Sequence, residues 1–103
     1  MQIQTERQGT VGIIRLAGEL DLDAHPALTE ATRSLLDPDP VQRIDIDASK
    51  LTFVDSAGLV ALLTLRTTAK RHGIETRLLA ASPHLSRVLD LTGLDDLFPF
   101  DHP

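Results

Sequence analysis

Ile44-Asp45-Ile46-Asp47-Ala48, then Asp55-Ser56-Ala57-Gly58, then Lys70-Arg71-His72-Gly73 and the run from Thr76 to Ala81 form the stretch on which the fold turns. Ile44, Ile46 and Ala48 alternate with two aspartates, the period-2 signature of a strand, which runs into a loop from Ser49 to Val54. Asp55-Ser56-Ala57-Gly58 opens a helix expected to reach about His72. The cationic Lys70, Arg71 and His72 suit the negative end of that helix, and Gly73 stands where a left-handed cap belongs. Thr76 to Ala81 is the next strand. A strand, a helix and a strand in that order imply parallel pairing through a right-handed crossover.

Working outward, the same pattern repeats. Ile3, Thr5 and Arg7 alternate with polar neighbours, and Gly9-Thr10 follows as a turn into the β-branched run Val11 to Leu16. Ala17-Gly18 closes that strand, and Gly18-Glu19-Leu20-Asp21-Leu22-Asp23 is expected to be an acidic loop. Asp23 is the expected cap of a helix with Pro26 in its first turn, and Ala24, Leu28, Ala31 and Leu35 line one face of it. Asp37-Pro38-Asp39-Pro40 stops it. Toward the C-terminus, Ser82-Pro83 starts another helix, with Leu85, Val88 and Leu89 on one face and Gly93 at its end; Phe98 and Phe100 suggest a short last strand. The expected fold is α/β: one domain over residues 1–103, with a mixed, mainly parallel sheet of four to five strands in the order β-β-α-β-α-β-α-β. The initial hairpin makes the sheet mixed.

Composition narrows the function. Apolar residues make up 42% of the 103, enough for a core, yet Phe53, Phe98 and Phe100 are the only aromatics. The core must therefore be aliphatic, and no Trp or Tyr is present to stack on bases. A net charge of −5 argues against nucleic acid and against an anionic membrane surface, both of which need clustered Lys and Arg. Cysteine is absent, which removes disulfides, thiolate chemistry and Cys-based zinc sites. With no signal-like N-terminus and no apolar run of spanning length, the expected location is cytoplasmic.

Catalytic kits are missing. There is no glycine-rich phosphate loop, no His-Glu-x-x-His and no Gly-x-Ser-x-Gly elbow, so no enzyme, cofactor or metal is expected. Asp45-x-Asp47-x-Ser49 begins like a calcium loop, but Lys50 replaces the required Gly and Ser56 the bidentate Glu. The acids read better as caps, turns and solvated faces, and His25, His72, His84 and His102 as exposed polar residues.

Ser56 carries more information. Its bland reading is a plain N-cap, contributing about 1 kcal/mol. Three features favour a second reading. The following helix is apolar almost all round, with Leu59, Val60, Leu62, Leu63 and Leu65, so one face is left for neighbouring structure or a partner. Ala57 and Gly58 are small, so another backbone can approach the Ser56 hydroxyl. A helix N-terminus also tolerates a phosphate, because its free N–H groups and dipole favour an anion. Modification would place close to two negative charges beside Asp55 and near Asp21 and Asp23. At ~6 Å each like-charge pair costs roughly 1–5 kcal/mol, enough to weaken a complex tenfold or more.

Five stretches in order resemble STAS-domain proteins, and among them bacterial anti-sigma-factor antagonists. They are Gly18-Glu19-Leu20-Asp21, Ile46-Asp47-Ala48-Ser49, Phe53-Val54-Asp55-Ser56-Ala57-Gly58-Leu59, Ser82-Pro83 and Leu89-Asp90-Leu91-Thr92-Gly93-Leu94. The resemblance implies a cycle. The unmodified protein binds a serine-kinase anti-sigma factor and frees a sigma factor, the kinase phosphorylates Ser56, and a PP2C-type phosphatase reverses it. It implies a partner-binding set of Asp21, Asp23, Asp55, Ser56, Ala57, Gly58 and Leu59. Ala57 departs from the Ser that many relatives carry, leaving Ser56 as the only serine of its loop. Asp45 replaces a commonly apolar strand residue, which implies a more exposed strand face.

Two other readings bear on the same residues. A receiver phosphorylated on Asp55 would need a late lysine, and the only lysines are Lys50 and Lys70. Some proteins of the resembled family are instead non-switching scaffolds or subunits, partners of lipid-transport ATPases or parts of stress-signalling assemblies. The intact Asp55-Ser56 pair favours the regulated antagonist.

Overall fold

Gln2–Gln8 (β1) and Val11–Leu20 (β2) form an antiparallel hairpin in the computed structural model, which describes residues 1–94. Gly9 turns it at φ 61°, a backbone state that a side chain would strain. β1 is exposed along its length except for the half-buried Ile3, as befits an edge strand. Arg43–Val54 (β3) and Glu75–Ala81 (β4) add in parallel, giving the strand order β1-β2-β3-β4.

Strands 2, 3 and 4 lie side by side in chain order. Right-handed crossovers then put both connecting helices on one face of the sheet. Accordingly His25–Leu36 (α1) and Ser56–Arg71 (α2) pack against each other. Pro83–Thr92 (α3) packs on β3 and β4. One aliphatic core results: Ile14, Leu16 and Leu20 meet Ile44, Ile46 and Leu51 from the sheet and Leu28, Leu62 and Leu85 from the helices. The expected helix face Ala24, Leu28, Ala31 and Leu35 is buried throughout. The strand expected at Phe98 and Phe100 lies outside the described residues.

Several local expectations change. β2 does not stop at Gly18 but runs to Leu20, and β3 does not stop at Ala48 but runs to Val54. The two continue to pair, Gly18 with Leu51, Glu19 with Phe53 and Leu20 with Val54, across two register shifts. At each shift β3 carries one residue more than β2, so that Leu51 and Val54, following Ala48 at intervals of three, still face the core, while Leu20 keeps the alternation of Ile14 and Leu16. Gly18, at φ 99°, sits at the second shift.

Asp23 does not cap the first helix. Asp21 instead accepts a 3.1 Å hydrogen bond from the Asp23 N–H and starts a 3-10 turn, Leu22–Ala24, which leads directly into α1. The later ends follow expectation. Gly73, at φ 73°, closes α2, and the Ser82 hydroxyl caps α3 by accepting from the Leu85 N–H at 3.1 Å.

Asp45 overturns the expectation of an exposed strand face, since it is 5% exposed. It lies on the face opposite the aliphatic core, between Ile13 and Arg77 on the neighbouring strands. Arg43, two residues along and therefore on the same face, donates to both of its carboxylate oxygens at 2.9 and 3.2 Å. A buried carboxylate is tolerable when it is paired in this bidentate way. Asp47, next on that face, is turned toward Ser49, accepting from its N–H at 3.1 Å and its hydroxyl at 2.7 Å. Burial pushes the Asp47 carboxyl up, but those two bonds and the charges of Arg15 and Lys50 outweigh it and hold the group below its ordinary value.

Candidate functional site

The C-terminal ends of parallel β2 and β3 are paired, Leu20 beside Val54. The chain leaves both strands at the same edge of the sheet. Asp21 and Asp55 therefore follow side by side on adjacent strands, and the Asp55 N–H donates to the Leu20 carbonyl at 3.2 Å. Each acid then caps a helical start. Asp55 has extended backbone, and its carboxylate accepts from the Gly58 N–H at 2.7 Å while its carbonyl accepts from Leu59. This is the ordinary N-cap geometry, in which a side-chain oxygen satisfies a donor that the helix leaves open.

Ser56 is therefore not the cap. It is the first helical residue, exposed, and its hydroxyl makes no hydrogen bond among the described residues. The cap is supplied one residue earlier, so nothing among the described residues holds the Ser56 side chain.

The other predicted residues divide. Asp23 is exposed, and Asp21, Asp55 and Ala57 are half-buried. Gly58 is buried, and a Cβ there would overlap the Leu20 carbonyl oxygen and lie 2.6 Å from its carbonyl carbon. Its smallness serves the contact between the end of β2 and the first turn of α2, so the expectation that it admits another protein's backbone is corrected. Leu59 is 7% exposed and belongs to the core, so it offers little surface to a partner.

Three apolar side chains at this edge were absent from the predicted set. Leu22, in the 3-10 turn, is 69% exposed, Val60 on α2 is 55% exposed, and Phe53 near the end of β3 is 44% exposed with its ring against His84. The signal in the sequence was the all-round apolar start of α2: one of its residues had to stay outside. A cavity of about 590 Å³ between α1 and α2, with Leu28, Leu36, Ala61 and Leu65 among its lining, does not include Ser56. A smaller acidic hollow of about 330 Å³ is lined by Met1, Glu19, Asp21, Asp23, Ala24 and Ala27. Among the described residues, no helix is long and apolar enough to cross a membrane.

Comparison with known proteins places this geometry. The chain is 28% identical over 99 residues to the anti-sigma F factor antagonist of Paenibacillus polymyxa, spanning 96% of this chain and 85% of that one. The structure of the anti-sigma factor antagonist SpoIIAA in its unphosphorylated form superposes with a TM-score of 0.79 at 25% identity, covering 98% of this chain and 89% of that one. The phosphorylated form of the Bacillus cell fate determinant SpoIIAA gives 0.74 at 25% identity, with 98% and 92% covered. The STAS domain model matches residues 2–102, and the chain belongs to the STAS-domain family.

Proposed function

We propose that residues 1–103 work as one STAS domain that is an anti-sigma factor antagonist, acting in the cytoplasm by binding rather than by turnover. In this reading the unmodified protein holds a serine-kinase anti-sigma factor and so releases a sigma factor. Phosphorylation of Ser56 ends the complex, and a PP2C-type phosphatase restores it. The partner-binding set keeps Asp21, Asp23, Asp55, Ser56 and Ala57 and omits the buried Gly58 and Leu59.

The observation that carries the reading is the exposed hydroxyl of Ser56, without a hydrogen bond among the described residues, one residue past a cap that Asp55 already supplies. A kinase can take that hydroxyl without unfolding the helix start, and the open N–H groups of the first turn accommodate the phosphate. The names and phosphorylation states of the similar proteins support the same assignment. Repulsion between the phosphate and Asp55 or Asp21 exists in the free protein too. It weakens the complex because docking removes the water that screens it.

The test is a phosphorylation and binding assay with the serine-kinase anti-sigma factors of the source organism, each purified and used singly. Phosphate is expected on Ser56 alone. Ser56→Ala should retain the partner, whereas Ser56→Asp should lose it. Equal retention by both variants would defeat the switch.

A further inference from the structure

Leu22 and Ser56 occupy matching places: each lies two residues beyond one member of the register pair Leu20 and Val54. Val60 lies four residues after Ser56, which puts it one turn along the same helix face. The 3-10 turn that carries Leu22 packs directly against α2. Ser56 thus shares this end of the sheet with two of the most exposed large apolar side chains among the described residues, Leu22 at 69% and Val60 at 55%.

Glu19, Asp21, Asp23 and Asp55 fall within residues 19–24 and 52–60, and those two segments contain no Lys or Arg. The side-chain charge of the two segments is acidic, although Met1, which bears the N-terminal ammonium, lines the same hollow as Glu19, Asp21 and Asp23. Apolar groups inside an acidic rim fit a protein surface that offers apolar pockets bordered by basic residues.

We infer that Leu22 and Val60 are the apolar anchors by which this protein binds its kinase partner, with the acids steering the approach; the inference rests on the function proposed above and adds residues to it. It also gives the phosphate a specific mode of action. Toward a basic partner, two more negative charges raise the long-range attraction, so distant repulsion does not explain release. The dianion acts at short range: between Leu22 and Val60 it would have to shed its water in the driest part of the contact, and the N–H groups of the first turn replace only part of that hydration.

The test measures binding of wild type, Leu22→Ser, Val60→Ser and Leu91→Ser to the same set of purified anti-sigma factors, at low and high salt. Leu91, 77% exposed near the end of α3, controls for loss of any surface leucine. Circular dichroism and thermal melting confirm that each variant folds. Leu22→Ser and Val60→Ser should each bind about tenfold more weakly or worse, through faster dissociation, with a ratio to wild type that salt does not change. Leu91→Ser should match wild type, and the KM for phosphorylation should rise in the two anchor variants while kcat holds. If wild type binds and both anchor variants stay within about twofold of it, the anchors are wrong and the function stands. If wild type binds none of the kinases, function and anchors fall together.

Discussion

The Asp55 carboxylate accepts a 2.7 Å hydrogen bond from the Gly58 N–H, and that bond separates the residue that stabilises the start of α2 from the residue beside it that is open to modification. Replacing Asp55 by Ala should cost about 1 kcal/mol, a fall in Tm of roughly 4–8 °C. Ser56→Ala, which removes no bond, should stay within about 0.5 kcal/mol of wild type. Thermal melts of the two variants check this, and equal losses would return the cap to Ser56.

Gly58 should resist the usual helix-stabilising change. In an open helix Gly→Ala gains about 1 kcal/mol. Here the added methyl meets the Leu20 carbonyl, so the end of β2 and the first turn of α2 must move apart. Gly58→Ala is expected to lose about 1–3 kcal/mol net in urea unfolding. A gain instead would mean that the strand end and helix start are not in contact.

Thr76 sits on β4 opposite Ile44, 4% exposed, and its hydroxyl has no hydrogen-bond partner among the described residues. A buried hydroxyl without a partner costs about 1–3 kcal/mol of lost hydration, and valine has nearly the same shape. Thr76→Val should therefore raise stability by about 1 kcal/mol, seen as a higher urea midpoint at constant m.

Asp47 should contribute to acid sensitivity. Its carboxyl is held below the ordinary value of 3.8 in the folded protein, so the unfolded chain binds the proton first as pH falls. The contribution is complete above that ordinary value and fades as pH drops through the lower, folded one. Urea unfolding of wild type and Asp47→Asn should differ at neutral pH, with the gap closing in strong acid. A gap that widens on acidification would reverse the sign.

Much of the layout was legible from the chain. Alternation at Ile44, Ile46 and Ala48, the spacing of Leu28, Ala31 and Leu35, and the stops at Pro38, Gly73 and Gly93 depend on neighbours within a turn or two, and the elements follow them. The residues past Ala48 were misplaced because the apolar pattern of β3 shifts phase at its register changes against β2, and β2 beyond Gly18 is held in the sheet by pairing with that same stretch. A phase change in one strand has meaning only beside the strand it pairs with.

The same division runs through the site. The order of Asp55, Ser56 and Gly58 marked a helix start carrying a hydroxyl, because capping is short-range chemistry that spacing reveals. Folding assigned the cap to Asp55, pressed Gly58 onto Leu20, sent Leu59 inward and left Leu22 and Val60 in water. Those outcomes follow from how α2 and the 3-10 turn meet at one edge of the sheet. Segments more than thirty residues apart come together there, and no local pattern encodes which side of each remains uncovered.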